Sequence, residues 1–326
     1  MSNRPKIQVA CAELEVLMMT LEVDIVLLAE CLVEAGWRLS FPGFGMPAIH
    51  YNLSGIGEMV VGGEHRIPLA PHTLVITPPG QPFRIDVLPG TSDGSAAGLK
   101  QVAPQLSPDD FSGSAHRFVA GSGDSEVMLI CGYFRASYGT SINLFQSLST
   151  PIVERFDPRD ELDHKLKAAL AEIGAQQVGV GAMTATLMKQ VLITLLRRSL
   201  SSTELWLERF ATLSDRQVAR ALASMVARPG APHTVASLAE AACLSRSVFM
   251  SRFSTAFGSA PMVALRQLRM RHAANLLKTD ILSMEQIARA VGYSSRSSFF
   301  RAFQRTYGKD PTDFRKAAAG KVRAAS

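Results

Sequence analysis

The chain has 326 residues, 47% of them hydrophobic, and carries 34 Lys and Arg against 28 Asp and Glu. That length leaves room for two or three domains with real cores. No apolar run reaches the roughly 18 residues of a membrane helix, because Glu15, Glu22, Asp24 and Glu30 interrupt the 14–33 stretch. The same acids argue against a secretory signal. Cysteines at 11, 31, 131 and 243 show neither metal spacing nor a disulfide framework. A cytoplasmic protein with reduced thiols is expected.

From about 23 to 135 the pattern is β. Short apolar or alternating runs recur: W-R-L-S-F, A-I-H-Y-N-L, E-M-V-V, T-L-V-I-T, F-R-I-D-V, H-R-F-V-A and V-M-L-I-C-G-Y-F. Turns rich in Gly and Pro separate them, which predicts a sandwich or small barrel. Residues 91–114, rich in Ser, Gly, Ala, Asp and Pro, read as a loop. Residues 158–213 read as a helical connector. One helix there starts in D-E-L-D, favourable to its dipole. A second, about 181–200, carries a stripe of Met183, Leu187, Val191 and Leu195, with Leu192, Ile193 and Leu196 beside it. That surface is wider than one neighbour covers, so it packs on the barrel or forms a subunit interface.

Beyond the connector a motif occurs twice. Around 238–261 the sequence reads L-A-E-A-A-C-L-S-R-S-V-F-M-S-R-F-S-T-A-F-G-S-A-P, and around 287–311 I-A-R-A-V-G-Y-S-S-R-S-S-F-F-R-A-F-Q-R-T-Y-G-K-D-P. The offset is 49 residues before the turn and 50 after it, so the second copy has one extra residue there. A repeat so well spaced is not chance. Each copy reads as helix, turn, helix. Cys243 and Gly292 occupy the turns, and glycine is the better suited to positive φ. Ser245 caps one second helix and Ser294 or Ser295 the other. Phe249 and Phe253, like Phe299 and Phe303, lie four apart and form a core stripe. Gly258 and Gly308, each with proline three residues on, end the helices.

Charge follows the motif. Residues 214–326 hold 18 Lys and Arg against 6 Asp and Glu, a net of +12, whereas 1–213 hold 16 against 22, a net of −6. A basic module joined to an acidic remainder suits a polyanion-binding head. Such phosphate contacts give affinity without sequence information.

Residues from about 214 to 316 resemble the C-terminal domain of AraC-type transcription regulators. The two motifs carry the resemblance, with the joining P-M-V-A-L-R-Q-L-R-M-R-H-A-A-N-L-L-K and the closing P-T-D-F-R. Cys243 departs from the glycine many members have. The resemblance implies two small helical subdomains on one long helix of roughly 27 Å, about one turn of B-DNA. It places Arg246, Ser247, Met250 and Ser251 in the first helix, and Arg296, Ser297, Phe300 and Arg301 in the second, at base-reading positions. Arg301 or Arg296 can bond bidentately to guanine, and Phe300 can touch a thymine methyl. The alternative for Met250 and Phe300 is inward packing. Arg246 apart, the first set is short or apolar, so its readout is expected to be weaker or steric.

The β region resembles the cupin-type sensor domain in front of many such regulators. Leu53-Ser54-Gly55, P-L-A-P-H-T-L-V-I-T-P-P-G-Q-P-F and Cys131-Gly132-Tyr133-Phe134 carry it. Enzymatic cupins hold a metal through an H-x-H pair, a glutamate and a late histidine. Here Ala48 and Phe83 stand at the last two positions and no H-x-H precedes Ala48, so the expectation is no metal, no cofactor and no catalysis. Alternation from Ala48 puts His50 and Asn52 on the inner face, with Phe83 near them if the cupin alignment holds. Polar groups in an apolar cavity suit a small-molecule site, although core hydrogen bonds account for His50 equally well. Trp37 and Arg38 either close the barrel mouth or simply pack.

The expected fold is therefore α+β and multidomain. A cupin-like β-barrel (1–157) precedes a helical, dimerising connector (158–213) and an all-α domain with two helix-turn-helix motifs (214–326). The expected protein is a non-enzymatic, sequence-specific regulator binding double-stranded DNA, a small-molecule effector, RNA polymerase and a second copy of itself. The alternatives are a constitutive DNA-binding protein with a scaffold barrel, or a cupin enzyme fused to a DNA-binding tail.

Overall fold

A computed structural model describes residues 15–90, 98–106, 115–122, 125–138, 142–146, 148–175, 177–201, 215–278 and 282–324. The chain divides into two compact units, one of residues 22–136 and 145–210, the other of 211–326 with 1–21 and 137–144.

The first unit is built on two sheets. The strands of the chain are β1 (Glu22–Val33), β2 (Trp37–Phe41), β3 (Ala48–Ser54), β4 (Gly57–Val61), β5 (His65–Leu69), β6 (Thr73–Thr77), β7 (Phe83–Val87), β8 (Lys100–Val102), β9 (Ala115–Ala120), β10 (Val127–Tyr138), β11 (Ile142–Asn143) and β12 (Ile152–Arg155), of which β11 and the last two residues of β10 fall in the segment grouped with the other unit. One sheet runs β12-β6-β3-β10-β1-β9, with β11 on β10; the other runs β5-β4-β7-β2-β8. The period-2 pattern explains the core. Leu39 and Phe41 on β2, Phe83, Ile85 and Val87 on β7, and Ala48 on β3 meet between the sheets with Val75, Leu129, Cys131 and Tyr133. β6 is buried at all five positions, as a strand covered on both faces must be. The helices α1 (Leu162–Ala175) and α2 (Val180–Ser201) pack on each other and on β1.

All seven strands read from the sequence are present. β1 was not among them: its acids break the apolar run but sit where the strand tolerates them, and Glu30 pairs with Arg117 of β9 at 2.6 Å. The loop expected over 91–114 is corrected at 100–102, where β8 pairs in parallel with β2; 91–97 and 107–114 lie outside the described residues. The α2 stripe is also rotated. Met183 is 51% exposed, while Thr184, Met188, Val191, Leu192, Leu195 and Leu196 are buried. The face turned to α1 and β1 thus begins one residue later than the apolar pattern suggests.

In the second unit the helices are α3 (Arg216–Ala227), α4 (Val235–Ala241), α5 (Arg246–Phe257), α6 (Pro261–Lys278), α7 (Met284–Ala290), α8 (Arg296–Tyr307) and α9 (Pro311–Ala324). α6 has 18 residues, about 27 Å at 1.5 Å each. Side chains close the helix starts: Asp215 accepts from Val218 N, and Thr234 with Ser237 and Ser283 with Gln286 form capping boxes. The second copy's core gathers Met270, Ala273, Ala274 and Leu277 of α6 around Ile287, Ala288, Val291, Phe299 and Phe303. Phe249 and Phe253 are as fully buried in the first copy. Burying a phenylalanine contributes about 1.5–3 kcal/mol, so each pair anchors its recognition helix.

Candidate DNA interface and barrel interior

The two recognition helices, α5 and α8, start and stop alike. Ser245 accepts from Val248 N and Ser295 from Ser298 N. The extra residue of the second copy is therefore Ser294, placed before the cap. Gly258 and Gly308 end the helices at φ 66° and 69°. The turns before them also match. Leu244 N donates to Ala239 O and Tyr293 N to Ala288 O, each at 2.9 Å. The left-handed residue is Cys243 (φ 54°) in one turn and Gly292 (φ 79°) in the other. A non-glycine residue there costs about 1–2 kcal/mol. The surroundings fit Cys243 in: its carbonyl accepts from Gln217 Nε2 at 3.3 Å, and its sulfur lies 3.9 Å from Arg220 Nη1.

With Phe249 and Phe299 turned to the core, the 100° step per residue sets the outward faces. On α5 these are Ser247, Ser251 and Thr255, all exposed, with half-buried Ser254 and with Val248 at 43% exposure. On α8 they are Ser297, Arg301, Gln304 and Arg305, all exposed. Gln304 and Arg305 were missed by the sequence reading, although they lie seven and four residues from Ser297 and Arg301. Arg246 and Arg296 are exposed at the first turns. Met250 is half-buried. So is Phe300, which packs on the second core with its ring centre 5.8 Å from that of Phe299. Inward packing therefore applies to much of Phe300. Its outer side is occupied by Arg296, whose guanidinium lies 4.8 Å from the ring centre, a cation–π contact. Arg252 instead ties α5 to α3, reaching Asp215 at 2.6 Å and Gln217 at 3.0 Å.

Inside the first unit, His50 and Asn52 on β3 are 1% and 0% exposed. The His50 ring is 4.2 Å from that of Phe83, which stacks on Phe41 at 4.9 Å. Nε2 of His50 is 3.5 Å from Thr77 Oγ1, and Nδ1 has no hydrogen-bond partner among the described residues. Burial lowers the His50 pKa to about 3, so near neutrality it acts as an uncharged donor and acceptor. Asn52 Nδ2 donates to Gly55 O at 2.9 Å, while Oδ1 has no hydrogen-bond partner among the described residues. The His50 and Phe83 rings are thus in contact, and Asn52 lies two residues along the same strand as His50.

Arg38 lies elsewhere. Its neighbours Leu39 and Phe41 mark the inner face of β2, and Arg38 points to the other. There its guanidinium forks onto Asp86 at 2.6 and 2.8 Å, with Arg84 at 3.2 Å from the same carboxylate. Of the two expectations for Arg38, closing the barrel mouth as part of a ligand site or plain packing, the first is corrected: alternation along β2 places it on the face opposite Leu39 and Phe41. Trp37 packs against the core, with Lys100 Nζ 5.3 Å from its ring centre. Among the described residues no three His, Cys, Asp or Glu gather as a metal ion requires, and no helix is long and apolar enough to cross a membrane.

A family model for a helix-turn-helix domain matches residues 238–317, and one for a cupin matches 14–201. The HTH-type transcriptional regulator AlkR of Acinetobacter baylyi is 41% identical over 104 residues, 32% of this chain and 34% of that protein. A protein named as an AraC-like transcription regulator in Streptomyces lividans is 32% identical over 206 residues, 60% of this chain and 66% of that one. The DNA-binding domain of AdpA, solved with a target DNA, is 30% identical over 32% of this chain and 95% of that one, with a TM-score of 0.32. The chain thus matches between a third and two thirds of the length of these curated relatives. The paired helix-turn-helix copies and the two-sheet cupin before them place the chain in the AraC-type family of regulators with an N-terminal cupin domain.

Proposed function

We propose that the protein is a sequence-specific transcription regulator that binds double-stranded DNA through α5 and α8 and answers to a small molecule held in the cupin domain. The observation that carries this reading is the pairing of two identically capped helices whose outward faces are mostly polar and exposed, in a region of net +12. Arg246, Ser247, Met250, Ser251, Arg296, Ser297, Phe300 and Arg301 would face DNA, with Gln304 and Arg305 beside them. Ser297 and Arg301 lead the base readout.

The effector site centres on His50, Asn52 and Phe83. Unpartnered buried polar atoms cost free energy unless something satisfies them, which supports a ligand bearing an uncharged hydrogen-bonding group. In this reading the chain divides at 157/158 and 213/214. The segment 158–213 dimerises, the effector shifts a population between dimer arrangements, and RNA polymerase is the downstream partner in the cytoplasm. The relatives are named as regulators, which favours a non-enzymatic role over a cupin enzyme.

A second reading, a scaffold barrel without an effector, draws on the close ring contacts among His50, Phe83 and Phe41. The deciding experiment selects bound genomic fragments with the full-length protein at near-physiological salt. A shared two-part motif is expected. Random fragments whose binding disappears as salt rises would defeat the regulator reading. A small-molecule screen by thermal shift separates sensor from scaffold: an effector at 100 times its Kd adds about 2.7 kcal/mol.

A further inference from the structure

The turn just ahead of the first helix-turn-helix copy meets the second copy backbone to backbone, and one arginine clasps the contact. The turn between α3 and α4 is held by Ala231 N to Arg228 O at 3.0 Å and His233 N to Ala231 O at 2.8 Å. Gly230 in that turn lies against the end of α7, where a Cβ would strike Ala290 O. From the other side, a Cβ on Gly292 would lie 2.6 Å from Gly230 O and 2.9 Å from Arg269 Cζ. Arg269, from α6, donates through Nε to Pro229 O and through Nη2 to Ala231 O, both at 2.8 Å. Its guanidinium lies 6.0 Å from the centre of the Tyr293 ring. One side chain thus joins the α3–α4 turn, the long helix and the second copy's turn.

We propose that Arg269, closed over the Gly230–Gly292 contact, is a positioning residue that holds the two recognition helices at one separation and twist. The protein then selects DNA by the spacing of its two half-sites as well as by their bases. This rests on reading both copies as DNA heads. A single helix tethers its ends but leaves each copy free to swivel at the junction. Two charge-assisted bonds from a planar fork, across a backbone contact too tight for any Cβ, remove that freedom. One inserted base pair displaces a half-site by about 3.4 Å and turns it by about 35°. A rigid pair keeps the second half-site at high effective concentration only when the span matches.

The test uses the full-length protein and a two-part site recovered from genomic fragments, with −1, +1 and +2 base pairs between the half-sites. The wild type should lose about tenfold in affinity or more per step, the scale of one lost base-pair contact. Arg269→Met should lose about threefold or less per step, because its heads can follow the displaced half-site. Arg269→Lys keeps the charge and stem but not the fork, so its penalty should fall between the two; it also serves as the probe if the methionine variant does not fold. Equal penalties in wild type and both variants, with only the melting temperature lowered, would overturn the proposal and leave Arg269 a stabilising residue. A wild type indifferent to spacing would overturn it too. A wild type that protects no specific sequence would instead defeat the reading of two DNA heads beneath it.

Discussion

The two helix-turn-helix copies share an interior and differ in what they show to solvent. Phe249, Phe253 and Phe257 step along α5 with ring centres 5.6 and 4.5 Å apart; Phe299, Phe303 and Tyr307 step along α8 at 5.8 and 4.6 Å. The caps and closing glycines correspond as well. Outward, α5 offers serines, a threonine and a valine, whereas α8 offers Arg301, Gln304 and Arg305. Packing constrains the side chains that make each copy fold and leaves the opposite face free to diverge. In the proposed function, discrimination among bases would therefore fall on the second copy, with the first contributing fit and position.

Removing a shared anchor should have the largest effect. Phe253→Ala and Phe303→Ala should each cost about 3–5 kcal/mol in denaturant unfolding; a large gap between them would break the equivalence of the two cores. Next, Arg301→Ala should weaken specific DNA binding by about 1–3 kcal/mol while sparing nonspecific binding. Ser251→Ala at the matching position should stay within about 0.5 kcal/mol. Similar losses in titrations of both variants would undo the division of labour. Smaller again, Cys243→Gly should stabilise the protein by about 1 kcal/mol by relieving a left-handed cysteine; a fall in melting temperature would show that the contacts to Gln217 and Arg220 outweigh the strain. Last, Ser245→Ala and Ser295→Ala should each cost about 0.5–1 kcal/mol, and thermal melts showing one inert would mark its helix start as held by other means.

Most of the paired domain was legible because its signals are local. Capping serines, aromatic spacing and terminal glycines act within one turn of helix, and each lies where the repeat placed it. Gln304 and Arg305 escaped only because the helical period was not carried one turn further. The barrel was harder. Seven of its strands were readable as apolar or alternating runs, but β1 carries acids that disguise it, and β8 is a three-residue strand known only by its partner β2. Arg38 was misplaced for the same reason: alternation gives two faces, and deciding which is inner takes the packing of Leu39 and Phe41 against the opposite sheet. The Arg269 clasp joins groups 38 and 40 residues apart through backbone carbonyls, which no side-chain pattern records.

The glycine-to-glycine contact bears on how such a head can be rebuilt. Two repeats on a helix invite exchange, one half taken from a relative to make a hybrid of new taste. Here Gly230 and Gly292 come from different halves, and either half needs its counterpart bare of side chain. A hybrid joined within α6 inherits the clash unless both donors have glycine there. The segment running from α3 to α9 is thus the natural unit of transplantation.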